Sequence, residues 1–395
     1  MDTIFPFSTY KKAVLILETG DYFPGLIQTD DIETSGILCF NTAMTGYQEA
    51  ISDPSYSGQL LVFSFPHIGN VGTNPEDMES SFPFLQGIIM GDLITEASNY
   101  RSTSNFLSWL KKNNIPCLEG VDTRTLVQVI RDYKKPLKGI IYSYTGDLTA
   151  EKILKLQEKE IHKDTTLEQS FLHQVSTRQV YPWIKELPKL SEDLYALKTS
   201  SSLPLKIVVV DFGVKYSTLK SLTSFGAEVI VVPFSSSYEK IIAHHPHGIV
   251  FSNGPGDPRF VDPSIFKMME KLLQENLPLL GICLGHQLLS LIHNAEIIKL
   301  NCGHHGINHP VQDLHSKNIL ITSQNHEYAV KESSLPKCLT PTYRSLFDGS
   351  LEGYRVKEKL IFSIQFHPEA GPGPQDATFI LSDFLKIVHH HAQKN

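Results

Sequence analysis

The sequence predicts an α/β protein: an N-terminal α+β domain, followed by a domain built on a doubly wound, mostly parallel sheet. Three observations carry this reading. Between residues 205 and 292, short apolar runs alternate with segments of helical period, the pattern of parallel strands joined by crossover helices. The first 147 residues lack that alternation, with strand-like runs first and helical pattern later. Residues 148–204 are more polar and run down to Lys198-Thr-Ser-Ser-Ser-Leu-Pro204, the composition of a connector. The expected domains are therefore 1–147 and 205–395, with 148–204 between them.

In the first domain, Ala13–Leu17, Gly36–Phe40 and Gln59–Ser64 read as strands bounded by Gly, Pro, Asp and Ser turns, and Ser104–Asn114 and Thr123–Tyr133 as helices. Thr149–Ile161 reads as a charged amphipathic helix opening the connector. Lys206–Asp211 is then a strand, Lys215–Phe225 a helix closed by Gly226, and Glu228–Pro233 and Gly248–Ser252 further strands. A helix around Ser264–Glu275 leads into the apolar run Leu277–Ile282. Beyond it, Leu284, Leu288, Leu289 and Ile292 recur at the spacing of one helix face.

Composition narrows the function. With 41% hydrophobic and 19% charged residues over 395 positions, the chain suits an ordinary soluble protein of two or three domains. A net charge of −7 argues against a nucleic-acid partner. No apolar run is long enough to span a membrane, and the N-terminus lacks the basic start and apolar core of a signal peptide, so a cytoplasmic location is expected. The five cysteines are odd in number and scattered, suggesting neither a disulfide framework nor a thiolate zinc site. Histidines cluster at His304, His305 and His309, and again at His244, His245 and His247. No spaced carboxylate or cysteine completes a ligand set, so no metal is expected. The final His389-His390-His391 reads as a solvated tail.

The junction at Cys283 is chemically pointed. Gly281-Ile-Cys283-Leu-Gly285 sets a thiol where a buried strand turns sharply into a helix, the thiol form of a nucleophile elbow. The helix's free N–H groups and positive dipole end suit a reactive anion there. A cysteine nucleophile needs a base, and the base an orienting group. Phe366-His367-Pro-Glu369 follows an apolar strand, and Pro368 favours an extended His367, which tends to put imidazole and carboxylate on one side of the chain. Ser252-Asn-Gly254-Pro-Gly256-Asp-Pro258 follows another strand, and its glycines let an N–H face outward as an oxyanion donor beside that of Leu284.

These three blocks resemble the catalytic signature of class I, or triad, glutamine amidotransferases. The resemblance implies hydrolysis of L-glutamine through a γ-glutamyl thioester on Cys283, with His367 as base and Glu369 as its orienter. Phe40–Glu49, Asp53–Ser57, Phe65–Gly72, Gly120–Arg124, Asp211–Lys215, Gly303–Gly306, Asn308–Pro310, Gln324–His326 and Ser345–Gly349 further resemble the small subunit of carbamoyl phosphate synthetase, across nearly the whole chain. By that resemblance, Ser55, Gly254, Gly256, Leu284, Gln287, Asn325, Glu327 and Tyr328 form the glutamine site. The N-terminal domain supplies docking surface and Ser55. The ammonia passes to a large subunit that holds ATP, Mg2+ and bicarbonate, and the complex feeds arginine and pyrimidine synthesis. No phosphate loop of the G-x-x-x-x-G-K-[ST] type occurs in this chain, consistent with no cofactor on it.

Glu327 departs from the family, which usually has glycine there. Glycine suggests positive φ or backbone lying against the substrate, and a glutamate carboxylate near the substrate's own carboxylate repels it unless solvent or a cation intervenes. The expected arrangement turns the Glu327 side chain outward. Two other readings stay open: a non-catalytic subunit with a degenerate glutamine site, and a stand-alone cysteine hydrolase, for which the N-terminal domain has no use.

Overall fold

A computed structural model of the protein describes residues 10–28, 32–161, 171–184 and 205–394. The chain divides into two compact units, Met1–Thr165 and Thr166–Asn395.

The first unit is a seven-stranded mixed sheet. Its strand order is Tyr22–Ile27, Lys11–Leu17, Lys138–Tyr144, Glu33–Asn41, Gln59–Phe63, Gly87–Ile89 and Cys117–Leu118. The last four strands run parallel and the first four pair antiparallel. Both faces are covered. Leu61, Phe63, Ile88, Phe106 and Leu110 pack on one, and Leu15, Leu60, Val62, Leu126 and Ile141 on the other. Helix Thr123–Tyr133 begins where Asp122 Oδ1 accepts the Thr125 N–H at 3.0 Å, an N-cap of the ordinary kind.

Segment 148–204, expected as a connector, is shared between the units. Helix Ala150–Ile161 buries Leu156 against Val14, Ile16 and Ile140 of the first sheet. Strand Tyr181–Pro182 instead pairs antiparallel with Ala227–Pro233 of the second. The polar stretch from Lys198 to Pro204 lies outside the described residues.

The second unit carries a ten-stranded sheet. Ala227–Pro233, Leu205–Asp211, Gly248–Phe251, Leu279–Ile282 and Ile361–Ile364 run parallel in that spatial order, with helices on both faces, the doubly wound core that the alternation predicts. The central strands Gly248–Phe251 and Leu279–Ile282 are buried along their whole length and hold no charged residue, as strands covered on both faces should. Beyond Ile361–Ile364 the sheet continues as an antiparallel wing of Leu351–Val356, Leu339–Ser345, Ile297–Asp313 and Ile319–Val330. The sequence reading contained none of these four strands. His389, His390 and His391 also differ from expectation: they form the last turn of helix Phe379–Ala392, where side chains able to carry positive charge suit the dipole. No helix among the described residues is long and apolar enough to cross a membrane.

Candidate active site

Four loops leave the carboxyl ends of the parallel strands, and each brings a sequence-predicted block. Cys283 stands between strand Leu279–Ile282 and helix Leu284–Ile292 with φ 52° and ψ −102°, a left-sided conformation that costs a non-glycine residue about 1–3 kcal/mol. That strain lifts the thiol onto the elbow. The turn is held by the Cys283 N–H donating to Ile364 O at 2.9 Å and the Gly285 N–H to Ser252 O at 3.1 Å. Leu284 is the first helical residue, so its N–H has no acceptor within the helix.

His367 is tied down by its own N–H, which donates to Ser323 O at 2.9 Å. Its Nδ1 meets Glu369 Oε1 at 2.7 Å, and both side chains are almost wholly buried. The ring's Nε2 is buried without a closed hydrogen bond, although the Cys283 thiol lies near enough to influence its charge. Burial alone would drive the imidazole toward neutrality, but the Glu369 carboxylate and the Cys283 thiol outweigh it and raise its pKa to about 10. Glu369 is held down at about 2: burial opposes this, and the neighbouring Lys215 ammonium and His367 overcome it.

Lys215 is the functional residue that sequence reasoning missed. It is buried, its Nζ lies 3.1 Å from Glu369 Oε1 and donates to Gly371 O at 2.8 Å. In sequence it closes the family-like block Asp211–Lys215 at a helix start with no role of its own; only the fold places it beside the relay. Gln365 was missed for the same reason. Its Nε2 approaches Cys283 Sγ at 3.6 Å while its Oε1 accepts from Gln287 Nε2 at 3.1 Å, linking nucleophile and predicted substrate residue.

The remaining predicted residues gather in the second unit, with one exception. Gln287 also donates to Tyr328 O at 2.9 Å, so its amide is fixed from two sides. Asn325 O lies 3.7 Å from Cys283 Sγ, and its side-chain oxygen meets His305 Nδ1 at 2.9 Å. Gly254 packs so closely over Phe212 O that a Cβ would come within 2.1 Å of it, and Gly256 holds φ +94°. Ser55 belongs to the other unit. There it is buried on the one-turn helix Pro54–Tyr56, with its N–H donating to Asp53 Oδ1 at 2.9 Å.

Glu327 lies in extended strand Ile319–Val330 with no positive φ, so the first of the two reasons for a glycine does not apply. Its carboxylate pairs with Lys299 Nζ at 2.7 Å. Lys299 also sits 5.0 Å over the Tyr328 ring, whose other neighbour is the Arg259 guanidinium at 5.4 Å. A cation from the adjacent strand thus stands beside the Glu327 carboxylate.

The His367–Glu369 pair makes a pH prediction. Glu369, with its pKa lowered from 4.5 to about 2, contributes stability above pH 4.5 that is lost as pH falls toward 2. His367, raised from 6.5 to about 10, contributes below pH 6.5 and loses this as pH rises through 10. Their joint contribution is fullest between pH 4.5 and 6.5. Glu369→Gln removes the anion that raises His367, so the imidazole pKa should fall. An NMR titration of the His367 ring that returned the same pKa in the variant would contradict this.

A thiol on a strained elbow, backed by a buried imidazole–carboxylate relay at the carboxyl edge of a doubly wound sheet, defines a triad amidotransferase domain. The family model for glutamine amidotransferase class-I matches residues 208–387. A second model, the CPSase domain of the carbamoyl-phosphate synthase small chain, matches residues 15–141. A carbamoyl phosphate synthase small chain from Salmonella typhimurium is 41% identical over 383 residues, 97% of this chain and 99% of its own. Proteins of the same name from Vibrio cholerae and Pseudomonas syringae are 41% and 40% identical over 378 residues, each alignment covering 96% of this chain and 98% of the relative. The chain belongs to the carbamoyl phosphate synthase small-chain family.

Proposed function

We propose that the chain is the glutaminase subunit of a glutamine-hydrolysing carbamoyl phosphate synthase. The observation that carries this is the relay itself: His367 bonded to Glu369 at 2.7 Å, just beyond the strand that pairs with the one ending at the Cys283 elbow. In this reading Cys283 sulfur attacks the γ-carboxamide carbon of L-glutamine and its proton resides on His367. The Leu284 N–H and one from the Gly254–Gly256 loop receive the developing oxyanion. Collapse breaks the C–N bond, His367 gives its proton to the departing ammonia, and a γ-glutamyl thioester remains. Water, deprotonated by His367, then attacks that carbon and releases glutamate and the thiol. Gln287, Asn325, Glu327 and Tyr328 line the glutamine site beside Cys283.

The ammonia goes to a large subunit, where ATP, Mg2+ and bicarbonate are bound; the first unit supplies the docking surface. Mixing the purified chain with such a subunit should yield glutamine-dependent carbamoyl phosphate. Synthesis from ammonia but never from glutamine would reject the reading and favour a non-catalytic partner with a degenerate glutamine site.

The Lys299–Glu327 pair supports the active form, because a neutralised glutamate need not repel the substrate carboxylate. Glu327→Gly should lower the glutamine KM by a few-fold, about 0.5–1 kcal/mol of binding, with kcat unchanged, as for an interaction felt equally in ground and transition states. A gain of glutaminase activity in an otherwise inactive chain would instead establish the degenerate-site alternative.

A further inference from the structure

We propose that the second unit holds a binding site for a divalent transition metal, zinc by its donor set, formed by His304, His326 and Glu352. One donor atom from each lies within 4.8 Å of the others, and all three residues are buried. They come from three strands of the antiparallel wing, Ile297–Asp313, Ile319–Val330 and Leu351–Val356. This is why no ligand spacing appears along the chain: the carboxylate missing beside the histidine cluster arrives from Glu352.

The surroundings are those of metal ligands. Histidine ligands present one ring nitrogen to the metal and use the other on a carboxylate or backbone carbonyl. His304 Nε2 meets Asp348 Oδ2 at 3.0 Å, while its buried Nδ1 has no hydrogen bond and stands 3.5 Å from Glu352 Oε1. His326 Nδ1 meets the backbone oxygen of Tyr328 at 2.8 Å, leaving Nε2 to face inward. That Nε2 lies 2.8 Å from Gln324 Oε1, whose own amide nitrogen is committed to Thr322 Oγ1 and Glu352 Oε2. A neutral imidazole has one N–H, already given to Tyr328, so lone pair faces lone pair. Turning the Gln324 amide over moves the conflict to an ionised Glu352 carboxylate. A cation bound between His326 Nε2 and Glu352, with Gln324 Oε1 facing it, resolves the conflict in the orientation the structure shows. His309 offers a further donor: its buried Nδ1 has no partner, and its ring lies 5.1 Å from that of His304.

With hard oxygen and borderline nitrogen donors and no thiolate, the set suits Zn2+ over Ca2+ or Mg2+. The metal would be structural, clamping three strands of which one carries Asn325, the residue before His326, against Cys283. This assignment does not depend on the proposed activity.

The test uses the full chain, stripped with a chelator, reloaded with Zn2+, passed through a desalting column and assayed for metal by plasma emission. About one zinc per chain is expected, with at least a tenfold lower content in Glu352→Gln, which keeps the side chain's shape. Less than about a tenth of a zinc per wild-type chain would overturn the site. Equal loading of wild type and variant would also overturn it, placing the metal elsewhere, as at His389–His391. If Glu352→Gln fails to fold by circular dichroism, a Co2+-loaded chain in which His389, His390 and His391 are replaced by glutamine decides. The strong visible absorption of a four- or five-coordinate ion supports the proposal, and the weak spectrum of six-coordinate Co2+ rejects it.

Discussion

Cys283→Ser is expected to cut glutamine-dependent carbamoyl phosphate synthesis by at least about a thousandfold, while ammonia-dependent synthesis by the assembled complex stays within about twofold of wild type. The substitution is nearly isosteric, so the Gln365 contact and the elbow's backbone bonds to Ile364 and Ser252 have no reason to break. What disappears is the polarisable sulfur that, in the proposed mechanism, makes and breaks the thioester. Loss of both activities in parallel, in a chain that still binds its partner, would make Cys283 a packing residue whose strain serves only the turn. His367→Asn should follow the same pattern. Glu369→Gln should be milder, about ten- to a hundredfold, since it weakens the imidazolium without removing a bond-forming atom.

The second large effect is on stability. Lys215→Met should destabilise the second unit by about 3 kcal/mol, because breaking one side of a buried ion pair leaves the other charge in a medium that solvates it poorly. The figure sits at the low end of such losses because Glu369 keeps its bond to His367. The electrostatic consequence has a definite sign. The ammonium lowers the pKa of both Glu369 and His367, so its removal raises both. The acid limb of stability, set by Glu369, should therefore move to higher pH. Urea unfolding of the full chain between pH 3 and 7 reads both effects. An unchanged midpoint together with an unmoved acid limb would show that Lys215 is a bystander.

What was legible in the sequence was whatever is local in the fold. The parallel strands are buried on both faces and announce themselves as unbroken apolar runs, and the elbow is one run meeting one helical period at Cys283. His367 and Glu369 stand two residues apart, so an extended chain suffices to pair them. The wing was hidden because its strands Ile297–Asp313 and Ile319–Val330 are rich in histidine, asparagine and glutamine turned inward, which erases the apolar alternation that marks a half-buried strand. Lys215, Gln365 and Lys299 were illegible as site residues for a related reason. Each acts on a partner at least 28 positions away, and nothing along the chain says that a charge or amide there will find one.

Strand Ile361–Ile364 runs parallel to Leu279–Ile282 on one side and antiparallel to Leu351–Val356 on the other. It is a seam between two modules. Cys283, Lys215 and the Gly254–Gly256 loop depend on strands to one side of it, whereas Asn325, Glu327 and Tyr328 belong to the wing on the other, and His367 leaves the seam itself. The two modules meet at the thiol and the imidazole: from the wing strand Ile319–Val330, Ser323 O accepts the His367 N–H at 2.9 Å and Asn325 O lies 3.7 Å from Cys283 Sγ, so a shift of the wing reaches the relay directly. Glu327 and its Lys299 counter-ion lie wholly within the wing, so that charge is balanced from the neighbouring strand of the same module while His367 keeps its 2.7 Å bond to Glu369.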